Sequence, residues 1–200
     1  MDTSFWKALE ARRSVYGFSS ERPVGLDEIV KIAENALTVV PSSFNSQSTR
    51  IVVLFGDHHR KLWDIVLDAL RKVTDDQQFA RSEAKVRGDF QTGYGTILFF
   101  EDEAVVKGLQ EQFGLYADKF PVYSDNTAGM HQLAVWTALA QKGLGASLQH
   151  YHPLINDAVR KEWNLPASWK LTAQMPFGKP LHAPGPKEHE PVSDRLKVFS

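Results

Sequence analysis

The chain has 200 residues, which suffices for one substantial hydrophobic core and is short for two, so we expect a single domain over residues 1–200. A net charge of −1 provides no large basic surface, which argues against partners such as nucleic acid or anionic membrane. The absence of cysteine excludes disulfides, thiolate metal sites and a cysteine nucleophile. Without a signal-peptide pattern or an apolar run of spanning length, a cytoplasmic protein is expected.

The N-terminal third predicts two helices. Thr3 or Ser4 can cap the first, which ends near the polar residues that follow position 11. Asp27 and Glu28 place negative charge at the start of the second, which favours a helix N-terminus. Apolar residues then repeat at helical spacing, and the second helix ends before Pro41.

The middle of the chain predicts two buried strands with helices around them. Residues 50–55 form a continuous apolar and β-branched run, as expected for a strand that is covered on both faces. A helix begins at residue 56, and residues 79–93 are amphipathic helix or ordered loop. A second buried strand covers 96–100, followed by a helix over 103–119.

Residues 126–142 predict a helix that is apolar around nearly its whole circumference, and such a helix must be surrounded by protein. Small residues such as Ala128, Ala134 and Ala138 allow another helix to approach closely. This pattern fits a central helix, a subunit interface or plain core equally well.

The last part predicts a strand over 146–151, a helix over 156–163 and a strand over 169–177. Residues 180–200 are rich in proline and poor in core residues, so we interpret them as an arm whose last apolar residues dock on a partner. Because helices outnumber strands and do not alternate simply with them, we expect an α+β fold with a small sheet flanked by helices.

Several common sites lack their sequence marker. Gly93-Tyr94-Gly95 precedes a strand, whereas a glycine-rich dinucleotide loop follows one. Neither a phosphate-binding loop with Gly-Lys-Ser/Thr nor the Gly-x-Ser-x-Gly of a hydrolase occurs. His150 and His152 share one strand face and need a third ligand to bind zinc, so we favour ordinary hydrogen-bonded histidines and expect no metal site.

Two polar stretches remain, and each has an ordinary interpretation. Adjacent arginines at a helix end are commonly a solvated cap, and a run of hydroxyl and amide residues is commonly a surface loop. Together they suit an anion that carries an aromatic ring, as FMN does, because guanidiniums bind phosphate and hydroxyls bind polar edges. The set comprises Arg12, Arg13, Ser14, Ser42, Ser43, Asn45, Gln47 and the distant Arg195.

Short motifs in the same order along nearly the whole chain resemble the FMN-dependent nitroreductase family. They are Arg12-Arg13-Ser14-Val15, Pro41-Ser42-Ser43-Phe44-Asn45-Ser46-Gln47, Phe99-Phe100-Glu101-Asp102, the small-residue central helix, Gly143-Leu144-Gly145-Ala146-Ser147, Phe177-Gly178-Lys179-Pro180 and the arm with Arg195. Tyr16 and Gly93-Tyr94-Gly95-Thr96 are most similar to the compact subgroup of fungal and lactic-bacterial stress-responsive, copper-induced nitroreductases.

This resemblance implies a nitroreductase-like fold with a small, mainly antiparallel central sheet. It also implies an obligate homodimer that exchanges its C-terminal arms (180–200) and holds FMN at the interface. The implied reaction is ping-pong: NAD(P)H reduces the flavin, which then reduces a nitroaromatic, quinone or related acceptor. The flavin carries the chemistry, so no catalytic acid or base is expected from the chain.

Roles for single residues follow from the resemblance. Phosphate contacts are implied for Arg12, Arg13, Ser14 and Arg195, flavin contacts from the other subunit for Ser42, Ser43 and Asn45, and contacts beside the ring for Leu148, Gln149 and His150.

The sequence departs from the family pattern at the pyrimidine edge of the flavin. Many relatives have lysine two residues after the motif's serine, and this chain has Tyr16. Lys85 or Arg87, ahead of the second strand, are the candidates for the missing positive charge. Ser193 replaces a second cation near Arg195.

Two other functional classes stay open on the sequence. One is a flavin-binding sensor or storage protein without significant turnover. The other is a helical interaction protein without flavin, in which the motifs are accidental. A flavin spectrum and its response to NAD(P)H separate the three.

Overall fold

A five-stranded antiparallel sheet forms the centre of the protein, whose computed structural model describes residues 3–199. The strand order is β1-β5-β3-β2, and β4 also pairs with β5. The strands are β1 (Phe18–Ser19), β2 (Thr49–Phe55), β3 (Gly95–Asp102), β4 (Gly145–Ala146) and β5 (Trp169–Pro180).

Helices surround this sheet. They are α1 (Thr3–Ala11), α2 (Leu26–Val39), α3 (Gly56–Arg71), α4 (Asp76–Lys85), α5 (Glu103–Gln112), α6 (Phe120–Gln141), α7 (Asn156–Glu162) and α8 (Val192–Arg195). Short 3-10 turns occur at Ser43–Asn45 and Gly114–Tyr116, and a π-helical turn, Val86–Phe90, follows α4.

The central strand β3 is buried on both faces and divides the core in two. Ile97 and Phe99 point into one cluster, together with residues of α2 and α6. Leu98 and Phe100 point into the other, together with residues of α3 and α7. Side chains alternate between the faces of a strand, so a continuous apolar run serves both clusters. Complete burial of each such side chain contributes about 1.5–3 kcal/mol.

The prediction for α6 was wrong in its start and in its apolar circumference. The helix begins at Phe120, six residues before the predicted start, and Pro121 in the first turn suits a helix N-terminus. Its buried face carries polar residues, whereas Met130 and Leu133 are 40% and 45% exposed in the single chain. The buried polar residues are Ser124, Thr127, His131 and Gln132.

Other element predictions needed correction. The regular strand predicted over 146–151 ends at Ala146; beyond it only an isolated bridge between Gln149 and Gln174 remains, and at Tyr151 the Gln174 side chain accepts the backbone hydrogen bond. Strand β2 was predicted to be covered on both faces but is half-buried, since it lies at the sheet edge. The helix predicted over 103–119 ends at Gln112.

The C-terminal arm lies on the surface. Residues 181–199 are exposed throughout, and Phe199 is 93% exposed. One backbone hydrogen bond, from Leu181 N to Gly17 O at 3.1 Å, starts the arm beside the N-terminal motif. Within residues 3–199, no helix is long and apolar enough to cross a membrane.

Candidate anion- and ring-binding site

The Arg12-Arg13-Ser14-Val15 motif lies in extended chain just after α1 and rests on β4. Val15 N donates to Ala146 O at 3.0 Å, and Ser14 forms a parallel bridge with the same residue. Gly145 makes this approach possible, because a Cβ there would lie 2.7 Å from Cγ1 of Val15. The backbone of the motif is therefore fixed to the sheet, and the Ser14 side chain is exposed.

Trp136 on α6 orients the Arg12 guanidinium, which lies 4.4 Å from the centroid of the indole ring. The indole is itself fixed, since Trp136 Nε1 donates to Ala146 O at 3.1 Å. Partial burial, and then the charge of Arg13, lower the pKa of Arg12, although an arginine stays protonated. Sequence reasoning missed Trp136; its only signal was a tryptophan within a run of small residues.

Arg13 contacts the arm instead. Its Nη2 donates to Gly185 O at 2.9 Å, an exposed contact that a stronger anionic acceptor can replace. Arg195 lies on α8, where its Nη2 donates to Glu190 O at 3.1 Å within the arm. The two arginines of the motif are neighbours along the chain with different partners, and no hydrogen bond links Arg195 to them in the part of the chain that the structure describes.

Tyr16 and Lys85 lie close together. The sequence predicts Lys85 or Arg87 as the source of a positive charge near Tyr16, and the structure places Lys85 there. Lys85 Nζ lies 5.4 Å from the centroid of the Tyr16 ring and 5.6 Å from that of Phe90. Arg87 points elsewhere: its Nε donates to Glu83 at 3.0 Å and its Nη1 to Gln91 at 3.2 Å. Lys85 is therefore the cation that the fold places beside Tyr16.

The π-helical turn Val86–Phe90 fixes this arrangement. Phe90 is fully buried against Trp63, with ring centroids 4.9 Å apart, and its ring also lies 6.4 Å from that of Tyr16. A single π turn within a helix often marks a functional site. Here it follows Lys85 directly and anchors the aromatic ring over which that lysine lies.

The loop over residues 41–49 has a strained backbone. Phe44, Asn45 and Gln47 have φ values of 56°, 51° and 47°, a region that residues other than glycine adopt at a cost of roughly 1–3 kcal/mol. Asn tolerates it best of the three. Such strain persists where the surroundings determine the conformation, and it is common at binding sites.

The loop and the arginine motif lie at different parts of α6. Phe44 packs against Phe120 at the N-terminal end of the helix, with ring centroids 5.1 Å apart, whereas Arg12 packs on Trp136 sixteen residues later. At 1.5 Å per residue the two contact points are about 24 Å apart along the axis. One chain does not bring Asn45, beside Phe44, to the arginine motif.

Residues 148–150 follow β4, and Gln149 pairs with Gln174 of β5. Leu148 packs on the core, and Gln149 is buried, with its side chain donating to Ser147 Oγ at 3.1 Å. His150 is exposed, 5.7 Å from the ring of His152. Over the described residues 3–199, no group of three or more potential ligands could hold a metal ion.

An antiparallel α+β fold, a fixed pair of guanidiniums and a polar, strained loop define the class of the protein. Residues 9–179 match the model of the Nitroreductase family, so the chain belongs to that family, and the predicted family and fold are confirmed. Its members are oxidoreductases.

Relatives cover nearly the whole chain. It is 33% identical to the putative nitroreductase HBN1 of Saccharomyces cerevisiae over 98% of this chain and 97% of that protein. It is 46% identical to the nitroreductase CinD from Lactococcus lactis solved with chloramphenicol, with a TM-score of 0.90 over 98% of this chain and 100% of that one. CinD with 4-nitrophenol gives 47% identity and a TM-score of 0.88 over the same shares.

Proposed function

We propose that this chain is an FMN-dependent enzyme that uses NAD(P)H to reduce nitroaromatics, quinones or related acceptors by a ping-pong mechanism. The observation that carries the proposal is the pair of guanidiniums at Arg12 and Arg13, on a motif whose backbone is fixed to Ala146 and whose Ser14 hydroxyl is exposed. This donor set fits the phosphate of FMN, because guanidiniums bind phosphate oxygens in pairs and a hydroxyl adds a third donor.

The flavin ring fits beside the motif. Tyr16 is 47% exposed and carries Lys85 over its ring, which supplies a hydroxyl and a positive charge for a polar ring edge. Leu148 and the buried Gln149 offer an apolar surface and an amide on the segment that follows β4. His150 at the end of this segment is exposed and completes the group that we assign to the ring.

FMN, when bound, accepts a hydride from a reduced nicotinamide and gives electrons to the acceptor. The residues of the chain bind and orient. The arginines fix the phosphate, Tyr16 contacts a polar ring edge, and the ammonium of Lys85 stabilises negative charge there. We assign no general acid to the chain, and we propose that the nicotinamide and the acceptor occupy the same place in turn.

We also propose a homodimer. An open apolar groove of about 840 Å³ crosses α1, the end of α2 and α6, and it includes Phe5, Leu9 and Leu133. Apolar patches of this kind on a single chain commonly mark an interface with another protein. The arm, which is exposed from residue 181 onward, suits exchange between subunits, and Arg195 would then reach the phosphate from such an arm.

The separation within one chain supports the same assembly. The 41–49 loop and the arginine motif contact α6 at points about 24 Å apart, so a flavin at the motif does not reach Asn45 of its own subunit. In the proposed dimer, Ser42, Ser43, Asn45 and Gln47 of one subunit contact the flavin that the other holds. CinD, which resembles this chain, was solved with 4-nitrophenol, and this supports a nitroaromatic acceptor.

An anaerobic titration tests the proposal. We expect the purified protein to be yellow, NADH or NADPH to bleach the flavin absorbance, and a nitroaromatic to restore it. Bound flavin that neither reductant bleaches would indicate the alternative, a sensor or storage protein without significant turnover. A colourless protein that does not take up FMN would reject flavin chemistry altogether.

A further inference from the structure

A buried carboxylate at the end of β3 holds three hydroxyl groups. Glu101 is 1% exposed, and its oxygens accept hydrogen bonds from Ser48 Oγ at 2.5 Å, Thr49 Oγ1 at 2.5 Å and Ser124 Oγ at 2.7 Å. Two of these donors belong to the segment that leaves the 41–49 loop, and the third belongs to α6. Glu101 therefore joins the end of the loop to the central helix.

Both carboxylate oxygens of Glu101 accept hydrogen bonds from these hydroxyl groups. Each hydroxyl has one hydrogen, so Thr49 gives its own to Glu101 and can only accept from His131 Nδ1 at 3.2 Å. His131 Nδ1 also faces Thr127 O at 3.0 Å, which confirms that this nitrogen carries the hydrogen. Among the described residues, no lysine or arginine forms an ion pair with Glu101, so the hydroxyl groups are the partners that satisfy this buried polar side chain.

The next residue holds the loop from the opposite face of the strand. Asp102 Oδ2 accepts from Arg50 Nη2 at 3.0 Å, and Nη1 of the same guanidinium donates to Gln47 O at 2.7 Å. The backbone also takes part, since Asp102 N donates to Ser48 O at 2.9 Å. Neighbouring residues of a strand point to opposite faces, so Glu101 and Asp102 secure the loop end on both.

The hydrogen bonds continue into the loop. Gln47 N donates to Ser42 Oγ at 3.0 Å, which closes the loop on itself. The path therefore runs from Asp102 through Arg50 and Gln47 to Ser42. Because Ser42 Oγ accepts this bond, its own hydrogen can be donated to a ligand. Gln47 is one of the three loop residues with a positive φ, so the hydrogen-bonded path reaches the strained part of the loop.

We propose that Glu101 and Asp102 are positioning residues for the flavin site. They hold the 41–49 loop in the strained conformation that presents Ser42, Ser43 and Asn45 to the flavin of the other subunit, and this role rests on the proposed function. Glu101 acts through Ser48 and Thr49, whereas Asp102 acts through Arg50. In this proposal the Glu-Asp pair of the Phe-Phe-Glu-Asp motif ends strand β3 and also holds the 41–49 loop.

Glu101→Gln tests the role with a minimal change of shape. The amide places N–H groups where hydroxyl hydrogens point, so at least one hydrogen bond to a buried group is lost. We expect faster hydrogen exchange at the amides of 45–47 and about tenfold weaker binding of FMN and of riboflavin alike, because the loop serves the ring end. Glu103→Gln, the same charge change at an exposed position, should leave exchange and both affinities within twofold of wild type.

Arg50→Lys provides the second arm, since this half-buried side chain can be replaced without disturbing the core. Lysine keeps the charge but cannot reach Asp102 and Gln47 O together. We therefore expect the same faster hydrogen exchange at 45–47 and the same equal weakening of FMN and riboflavin binding. If Glu101→Gln fails to fold, the measurements on Arg50→Lys alone test the positioning role. Wild-type exchange and wild-type affinities in a folded variant would overturn the positioning role. A wild type that binds no flavin would reject the proposed function and, with it, this role. Hydrogen exchange in the variants would then measure only the conformational stability of the 41–49 loop.

Discussion

The ammonium of Lys85 lies 5.4 Å from the centroid of the Tyr16 ring. The resemblance to the nitroreductase family implies a lysine at the position of Tyr16 in many members, and in this chain Lys85, the last residue of α4, lies beside that tyrosine. The ring of Phe90 lies 5.6 Å from the same ammonium, so Lys85 makes cation–π contacts with two aromatic rings. Lys85 is therefore the candidate for the positive charge that Tyr16 does not supply.

Removing that charge should make the flavin harder to reduce. At about 5 Å and an effective dielectric between 20 and 80, a unit charge contributes about 1–3 kcal/mol. This corresponds to roughly 20–70 mV for a two-electron couple. We expect Lys85→Met to lower the midpoint potential of bound FMN by such an amount in a redox titration. Arg87→Gln is the matched control, because Arg87 is directed to Glu83 and Gln91, and an equal drop there would mean that the effect is not local.

Placing a second cation at Tyr16 should have the opposite effect. Tyr16→Lys is expected to raise the midpoint potential of bound FMN, because a positive charge favours the reduced, negatively charged ring. Tyr16→Phe removes only a hydroxyl and should change the potential slightly. If Tyr16→Lys binds FMN with an unchanged potential in the same titration, Tyr16 does not face the flavin.

Arg13 should distinguish two flavins that differ only in the phosphate. A hydrogen bond to a charged group contributes about 1.5–3 kcal/mol, so Arg13→Ala should weaken FMN binding by roughly one to two decades. Riboflavin lacks the phosphate and should bind as before. Fluorescence quenching of each flavin measures both affinities. Equal weakening of the two would assign Arg13 to the fold, through its contact with Gly185.

Local patterns predicted the parts of this fold that depend on local sequence. The apolar run that became β3 and the helical spacing of α2 needed no distant contact, and both formed within a few residues of the predicted bounds. The arginines at the end of α1 were visible as a motif, although Trp136, which orients Arg12, was not. Its role depends on α6 crossing the motif, which no spacing along the chain reveals.

Distant polar contacts explain the main errors. The face of α6 was predicted from hydropathy, but Glu101 lies opposite Ser124, and a buried hydroxyl there satisfies a carboxylate that the sequence does not pair with it. Similarly, the segment expected to continue as a strand to Tyr151 keeps only one backbone bridge, at Gln149, and the Gln174 side chain accepts the hydrogen bond of Tyr151 N. Periodicity carries no information on such pairs.

A charge placed in the apolar groove should separate the proposed dimer. Leu133 on α6 is 45% exposed in the single chain and lines the groove. An obligate interface typically buries more than about 2,000 Å² of mostly apolar surface, so Leu133→Glu should produce a monomer in analytical ultracentrifugation and lose FMN. Leu115→Glu changes a leucine that is 85% exposed elsewhere and should remain dimeric. A wild-type monomer that holds FMN at micromolar concentration would contradict the assembly.

His59 on α3 is a buried histidine that the proposed chemistry does not use. Its Nε2 donates to Gln91 O at 3.2 Å, and its Nδ1 accepts from Thr96 Oγ1 at 2.8 Å. Thr96 is free to donate because Trp63 Nε1, at 3.1 Å, donates to the same hydroxyl oxygen. Both nitrogens of the neutral ring therefore have hydrogen-bond partners. A second proton, on Nδ1, would be opposed by the hydroxyl hydrogen of Thr96, which already points at that nitrogen.

The stability of the protein should fall in mild acid because of this histidine. Burial, as the main cause, lowers the pKa of His59 from 6.5 to about 4. The unfolded chain then binds the proton more readily, so the stabilisation is complete above about pH 6.5 and is lost as the pH falls towards 4. The loss amounts to up to about 3 kcal/mol. We expect denaturant unfolding to show a smaller decrease between pH 7 and 4.5 in His59→Gln than in wild type. The exposed His182→Gln should match wild type, and equal slopes in all three proteins would show that His59 titrates normally.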